Sequence, residues 1–512
     1  MGKLRKLAAA GAAALLAVGI ATPAAAAPRL VVASPGDPFA GCTIGGTDLS
    51  TVYPGAEVEP SVATDPKRPA RVVGAWQQDR WSDGGARGLV AAYSTNGGRS
   101  FHRAVWPLTR CSAGGLNYER ASDPWVSTGP DGIVYGSGLS FDATTARNAV
   151  VAITSYDGGR TWRNITSVIA DEEPEFFNDK NSVTADPVRR GSAYQVWDRL
   201  EFDPDSTDFI GGPTLMSSTR DGGRTWSPPR VIVDPAPFQQ TIGNVIVGDP
   251  RTGHLYDVYT SIQYTDAQGT GVEFVRFEVV RSTDGGRTWG RPVVIASDTS
   301  VADVHPNTGE PLRTGAGLPF PAVDPRTGAL YVAYEGSDFT GGAYNQIQLV
   351  RSTDHGRTWS APVRVSRDRG VPAFTPSIAV TRDGDVGVTY YDLRTLRPTD
   401  VTTLPTSTWL AISPRGGRDF AAERRISPVF DHLLAPNAGG YFLGDYQGLA
   451  TSGDRFRALF VTTRDSRPGD PTAVYYGEFR SIDATHPAAG TVAGSSAAVR
   501  SPTVHFPLRV RR

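Results

Sequence analysis

Ser282-Thr-Asp284-Gly-Gly286-Arg-Thr288-Trp289 decides the fold, because the chain writes it several times. Ser155-Tyr-Asp157-Gly-Gly159-Arg-Thr161-Trp162 and Ser352-Thr-Asp354-His-Gly356-Arg-Thr358-Trp359 repeat it, and Thr219-Arg-Asp221-Gly-Gly223-Arg-Thr225-Trp226 opens on Thr instead of Ser. Ser94-Thr-Asn96-Gly-Gly98-Arg-Ser100-Phe101 and Ser413-Pro-Arg415-Gly-Gly417-Arg-Asp419-Phe420 are degenerate copies. The closing aromatic residues stand at 101, 162, 226, 289, 359 and 420, a recurrence that marks a repeat architecture. Asp-Gly-Gly suits a tight hairpin, since glycine takes positive φ freely and Asp bonds back to nearby amides. Thr and Trp then re-enter a strand, with the ring as a hydrophobic peg over the turn.

Two further strands are readable before each hairpin. First strands open at Glu59-Pro-Ser-Val-Ala, Ser122-Asp-Pro-Trp-Val, Asn181-Ser-Val-Thr-Ala, Asn244-Val-Ile-Val, Phe320-Pro-Ala-Val, Thr375-Pro-Ser-Ile-Ala-Val and Asp445-Tyr-Gln-Gly-Leu-Ala. Second strands follow turns such as Asp249-Pro-Arg-Thr-Gly and Asp324-Pro-Arg-Thr-Gly. The count predicts an all-β propeller of seven four-stranded blades, with six as the alternative. The last blade lacks a hairpin copy and a fourth strand. Arg29-Leu-Val-Val-Ala-Ser34 resembles the outer strands elsewhere, so the N-terminus is expected to close the ring.

The remaining features bound the class. Residues 1–26 read as a secretory signal peptide: Lys3, Arg5 and Lys6, then the apolar run from Leu7 to Ile20, then small residues. Residues 27–480 form the propeller, and the Ala/Gly/Ser/Pro-rich tail 481–512 reads as disordered. An exported chain without a membrane span is expected, acting as a monomer. The net charge of −1 gives no reason to expect nucleic acid. Cys42 and Cys111 are the only cysteines, and in an exported chain they suit one disulfide, two free buried thiols being the alternative. No cofactor is implied and no metal motif is present. Asp203-Pro-Asp205-Ser-Thr-Asp208 and Asp171-Glu-Glu-Pro-Glu175 offer oxygen ligands for calcium, or else are solvated loops.

Antiparallel alternation puts every hairpin copy and every short first turn on one face. The long connections Asp203–Gly212, Gln263–Gly271, Ser297–Gly317, Gly336–Ala343 and Thr395–Thr406 occupy the other, where binding and catalysis are expected. That face collects Asp79-Arg80, Asp198-Arg199, Asp392-Leu-Arg394 and Arg464-Asp465 at second-strand ends. Glu59, Asp123, Lys180 and Asp445 open the first strands there. These charges read either as ion pairs between blades or as a polar site that accepts an anionic glycan.

The repeated hairpin resembles the Asp box, or BNR repeat, of the sialidase superfamily, across about Glu57 to Arg480. The resemblance implies a secreted glycoside hydrolase of the exo-sialidase type. Asp83, in the loop before the first hairpin, corresponds to the acid/base carboxylate. Tyr446, in Gly444-Asp445-Tyr446-Gln447-Gly448-Leu449, corresponds to the nucleophile. Arg80, Arg199 and Arg394 are the candidates for an anion clamp, with Asp123 and Asp445 binding substrate beside them. Val58-Glu59-Pro60 departs from the family's Arg-Ile-Pro opening, and Lys180-Asn181 stands where a Glu activates the tyrosine. The alternatives are a non-catalytic propeller that binds glycan or protein, and a polysaccharide lyase.

Overall fold

The computed structural model describes residues 29–34, 36–414, 416–420, 422–464 and 471–481. The expected signal peptide, nearly all of the expected tail, and Arg415 and Asp465 lie outside the described residues. The fold is all-β, built of antiparallel sheets. Among the described residues the helical turns are Asp338–Thr340 and His432–Leu434, and no helix is long and apolar enough to cross a membrane.

Antiparallel units built on four-strand paths follow one another along the chain, the first two joined in one eight-stranded sheet. The first runs through Glu57–Thr64, Val72–Arg80, Ala86–Ser94 and His102–Trp106. The second runs through Arg120–Thr128, Val134–Phe141, Asn148–Ser155 and Arg163–Asp171, and touches the first at Ala86↔Ala121. The third to sixth begin at Phe176–Ala185, Gln239–Gly248, Phe320–Val323 and Ala373–Val380. The seventh contains Gly448–Ser452, Arg455–Thr463 and Thr472–Arg480, and its fourth member is the N-terminal Val31–Val32, paired with Tyr475 and Tyr476. First strands of consecutive sheets pack on one another, and Gly448–Ser452 packs on Glu57–Thr64. A cavity of about 350 Å³ is lined by residues of successive units, among them Val62, Trp125, Val183, Ile246, Phe320, Ile378 and Leu449.

The repeated hairpin is a self-contained hydrogen-bond unit. Asp284 Oδ1 accepts from the amides of Arg287 (2.9 Å) and Thr288 (3.0 Å), and Thr288 Oγ1 donates to Oδ2 at 2.7 Å. The Ser282 hydroxyl donates to Asp284 and accepts from the Gly286 amide. Asp221 and Asp354 make the same set. Gly285 and Gly286 sit at φ +73° and +77°, where a Cβ is strained.

The closing aromatics do more than peg their own turns. Each reaches the sheet before it: Trp162 meets Trp106 of the first sheet edge-on at 5.0 Å, Trp226 meets Tyr135 of the second, and Phe101 meets Tyr476 of the seventh. Trp289 packs on Tyr194 and Met216 of the third, and Trp359 on Tyr256 and Val258 of the fourth. Burying such a side chain stabilises by roughly 1.5–3 kcal/mol, so the repeat also joins neighbouring sheets. Cys42 and Cys111 form a disulfide, with Cα atoms 5.8 Å apart, that ties the lead-in to the segment after the first sheet.

Candidate active site

The site begins with one backbone irregularity used repeatedly. Five first strands break register near their start, between Val58 and Ser61, Ser122 and Trp125, Asp179 and Ser182, Ile242 and Val245, and Phe374 and Ser377. At each break one residue takes positive φ: Glu59, Asp123, Lys180, Gly243 and Thr375. A non-glycine residue in that region costs about 1–3 kcal/mol, and such strain concentrates where function needs a side chain re-aimed. Three of the five carry charge, and all three line one cavity of about 710 Å³.

That cavity lies on the long-loop face. Asp203, Pro204 and Thr207 of one long loop and Ala302 to Ala316 of another contribute to its wall, whereas the glycine-rich hairpins do not. Phe141, Phe176, Phe177 and Phe202 supply an apolar side suited to the face of a sugar ring.

Asp445 is the hub. Its carboxylate receives Arg313 through Nε (3.2 Å) and Nη2 (3.0 Å), and Lys180 Nζ at 2.6 Å. Burial alone would raise its pKa, but Arg313 and Lys180 outweigh burial and hold it well below the usual carboxylate range. Lys180 Nζ also lies 3.7 Å from Asp123 Oδ1, an oxygen with no hydrogen-bond partner among the described residues. Burial pushes the Asp123 carboxyl well up, against the opposing pull of Lys180. Glu59, fully buried, is raised for the same reason. It accepts from the Asp445 amide at 3.3 Å and from Gln77, whose Oε1 in turn receives Arg80 Nη1 at 2.8 Å. Arg80 and Arg313 both lie over the Phe442 ring, at 4.8 and 4.4 Å, and burial and then Arg313 lower Arg80 to about 10. Gly315 lets the Arg313 loop approach, since a Cβ there would stand 2.0 Å from the Asp445 carbonyl oxygen.

Of the residues singled out in the sequence, Arg80, Asp83, Asp123 and Asp445 line this cavity. Asp83 stands half-exposed and bonds Arg120 Nη1 at 2.7 Å. Tyr446, Arg199 and Arg394 do not line it. Tyr446 is packed in the interior against Trp125, its hydroxyl donates to the Pro124 carbonyl at 3.3 Å, and burial followed by Glu59 raises its pKa well above the phenol range. Arg199 turns to Asp171 and the Phe176 ring, and Arg394 to Asp392, Glu423 and the Trp409 ring, all nearer carboxylates and aromatics of their own or adjoining sheets. Arg313 was not foreseen, since nothing local in its long loop marks it. Asp203 Oδ1 serves the amides of Asp205 and Ser206, closing its own loop, and among the described residues no three acidic, His or Cys side chains are grouped to hold a metal ion.

Residues 253–430 match the family model described as BNR repeat-like domain. That segment is a BNR repeat-like domain, and the chain is similar to proteins of the sialidase superfamily. A sialidase of Micromonospora viridifaciens is 29% identical over 160 residues, a match spanning 29% of this chain and 23% of that protein. Among solved structures, a Hadza microbial sialidase shares 15% identity at a TM-score of 0.46, covering 82% of this chain and 75% of its own. A GH93 α-L-arabinofuranosidase of Fusarium graminearum shares 12% at 0.45, covering 86% and 98%. A Dyadobacter fermentans protein of unknown function shares 14% at 0.44, covering 84% and 97%.

Proposed function

We propose that this BNR-repeat chain is an exported glycoside hydrolase of the sialidase-like kind, with its seven sheets as blades of one ring closed by the N-terminal strand. The observation that carries the reading is the Asp123–Lys180–Asp445 bridge. Lys180 Nζ is 3.7 Å from Asp123 Oδ1 and 2.6 Å from Asp445 Oδ2, so the two oxygens lie within about 6.3 Å, the sum of those distances. One carboxyl is pushed up and its neighbour held down, the pairing that lets one donate a proton while the other stays anionic. The spacing suits a retaining pair, at about 5–5.5 Å, better than an inverting pair with room for water. Asp123 then protonates the leaving oxygen, and Asp445 faces the positive charge that develops on the sugar ring. Asp83 and Arg80 serve as binding groups at the rim and the floor.

The sugar itself is chosen by the wall. Arg80, Lys180 and Arg313 are the cations grouped around Asp445, and both Lys180 and Arg313 are already paired with it. A sialoside carboxylate must therefore compete with Asp445 for them, whereas a neutral sugar needs no such exchange. Turnover of a panel of aryl glycosides, sialosides included, by the purified chain and by Asp123→Asn and Asp445→Asn tests the assignment. Loss of turnover in both variants supports it. Glycan binding without turnover of any substrate would leave a second reading, a binding propeller, which the full neutralisation of Asp445 favours.

A further inference from the structure

The hairpin face carries a second charged surface that the cavity does not use. Each hairpin copy places one arginine beside its glycines: Arg99, Arg160, Arg224, Arg287, Arg357 and Arg418, all exposed. The aspartates of the same loops, Asp157, Asp221, Asp284 and Asp354, accept from loop amides and hydroxyls. The short first turns repeat the arrangement. Asp65, Asp186, Asp249 and Asp324 are buried and receive turn amides, while the exposed Arg68, Arg189 and Arg326 pair with the aspartate of their own turn and Arg251 donates to the Thr327 carbonyl. Turns and hairpins touch within a sheet, as in Gly222 N to Gly191 O, and between neighbouring sheets, as in Tyr156 Oη to Gly222 O and Arg251 Nη1 to Thr327 O, so these arginines share one face.

We propose that this arginine face docks on an anionic polysaccharide, one bearing carboxylate or sulfate groups along its length. Exposed guanidinium forks pair with planar oxyanions, and many weak contacts along a polymer sum to useful affinity. Nucleic acid fits less well, because the aromatics of the hairpins, Trp162, Trp226, Trp289 and Trp359, are packed against neighbouring sheets and offer no stacking platform. A bilayer also fits less well, because exposed apolar side chains on this face, such as Tyr156 and Val188, are single. Docking in this way leaves the cavity turned toward the medium.

The test uses the purified chain on immobilised heparin as the sulfated probe, with neutral dextran, duplex DNA and anionic phosphatidylserine vesicles as parallel arms. The expected result is retention on heparin, released as salt rises from about 0.05 to 0.5 M, with none on dextran. The triple variant Arg224→Glu/Arg287→Glu/Arg357→Glu should weaken retention at least tenfold at an unchanged melting temperature, and Asp445→Asn should retain wild-type binding. If the triple variant melts early, the single Arg224→Gln, Arg287→Gln and Arg357→Gln variants must each weaken retention instead. Unchanged binding in the variants, or tighter binding to DNA or vesicles than to heparin, overturns the proposal. Because the readout is retention, it stands apart from turnover at the cavity.

Discussion

Lys180 Nζ meets Asp445 Oδ2 at 2.6 Å although 265 residues separate them in the chain. The contact joins the third sheet to the segment leading into the seventh. Both side chains are largely withdrawn from water, at 13% and 8% exposed, so the pair is strongly coupled rather than screened. A lysine stands here where the sialidase resemblance implies a glutamate, and its ammonium pairs with the Asp445 carboxylate.

Removing one partner should therefore harm the fold as well as the chemistry. Asp445→Ala leaves Lys180 and Arg313 without their shared carboxylate and is expected to destabilise by about 3–5 kcal/mol. Lys180→Met in the same background should recover part of that loss. Denaturant unfolding of both singles and the double gives the coupling, and strict additivity would count against the hub.

On the cavity floor, Asp123→Asn keeps the shape of the side chain but cannot give up a proton. With a poor leaving group, turnover is expected to fall about 10²–10⁴-fold, and much less with a nitrophenolate that needs no acid. A loss independent of leaving group would assign Asp123 to binding only.

The Arg313 loop is held by contact rather than charge alone. Gly315→Ala drives a Cβ into the Asp445 carbonyl. It should therefore weaken the affinity for glycan and lower turnover by displacing the Asp445 backbone. Parallel measurements of KM and kcat with unchanged secondary structure would show this.

In the hairpins, Asp284→Ala removes the acceptor of two amides and two hydroxyls. A loss of about 1–2 kcal/mol is expected at neutral pH, with the cavity unaffected. The same substitution at Asp221 or Asp354 should cost a similar amount. Cys42→Ser/Cys111→Ser, which opens a loop of 69 residues, should cost about 2–4 kcal/mol.

Asp257 gives the pH signature of a buried acid away from the cavity. Burial raises its carboxyl to about 7, opposed by a hydrogen bond from Asn244. The unfolded group ionises near 4, so between about pH 4 and 7 the native state binds the extra proton. Its contribution is full below the unfolded value and is lost as pH rises toward 7. Asp257→Asn should flatten that part of the stability–pH curve, and an unchanged slope would refute the assignment.

The hairpins were legible in the sequence because their bonds are local: Ser282, Asp284 and Thr288 satisfy one another and the intervening amides within seven residues. The same locality fixed which face carries the long loops, since strand alternation needs no distant contact. The direction of the closing tryptophans was not legible, because it depends on how one sheet packs on the last. Arg199 and Arg394 carry the right charge at the right strand ends, yet each finds a nearer carboxylate and an aromatic face and turns away from the cavity. Tyr446 sits one residue past Asp445, and that single step turns it inward against Trp125. Whether a charge becomes a structural pair or a site group depends on which side chain from a different sheet reaches it first, and only the packed fold brings Lys180, Arg313 and Asp445 within reach of one another.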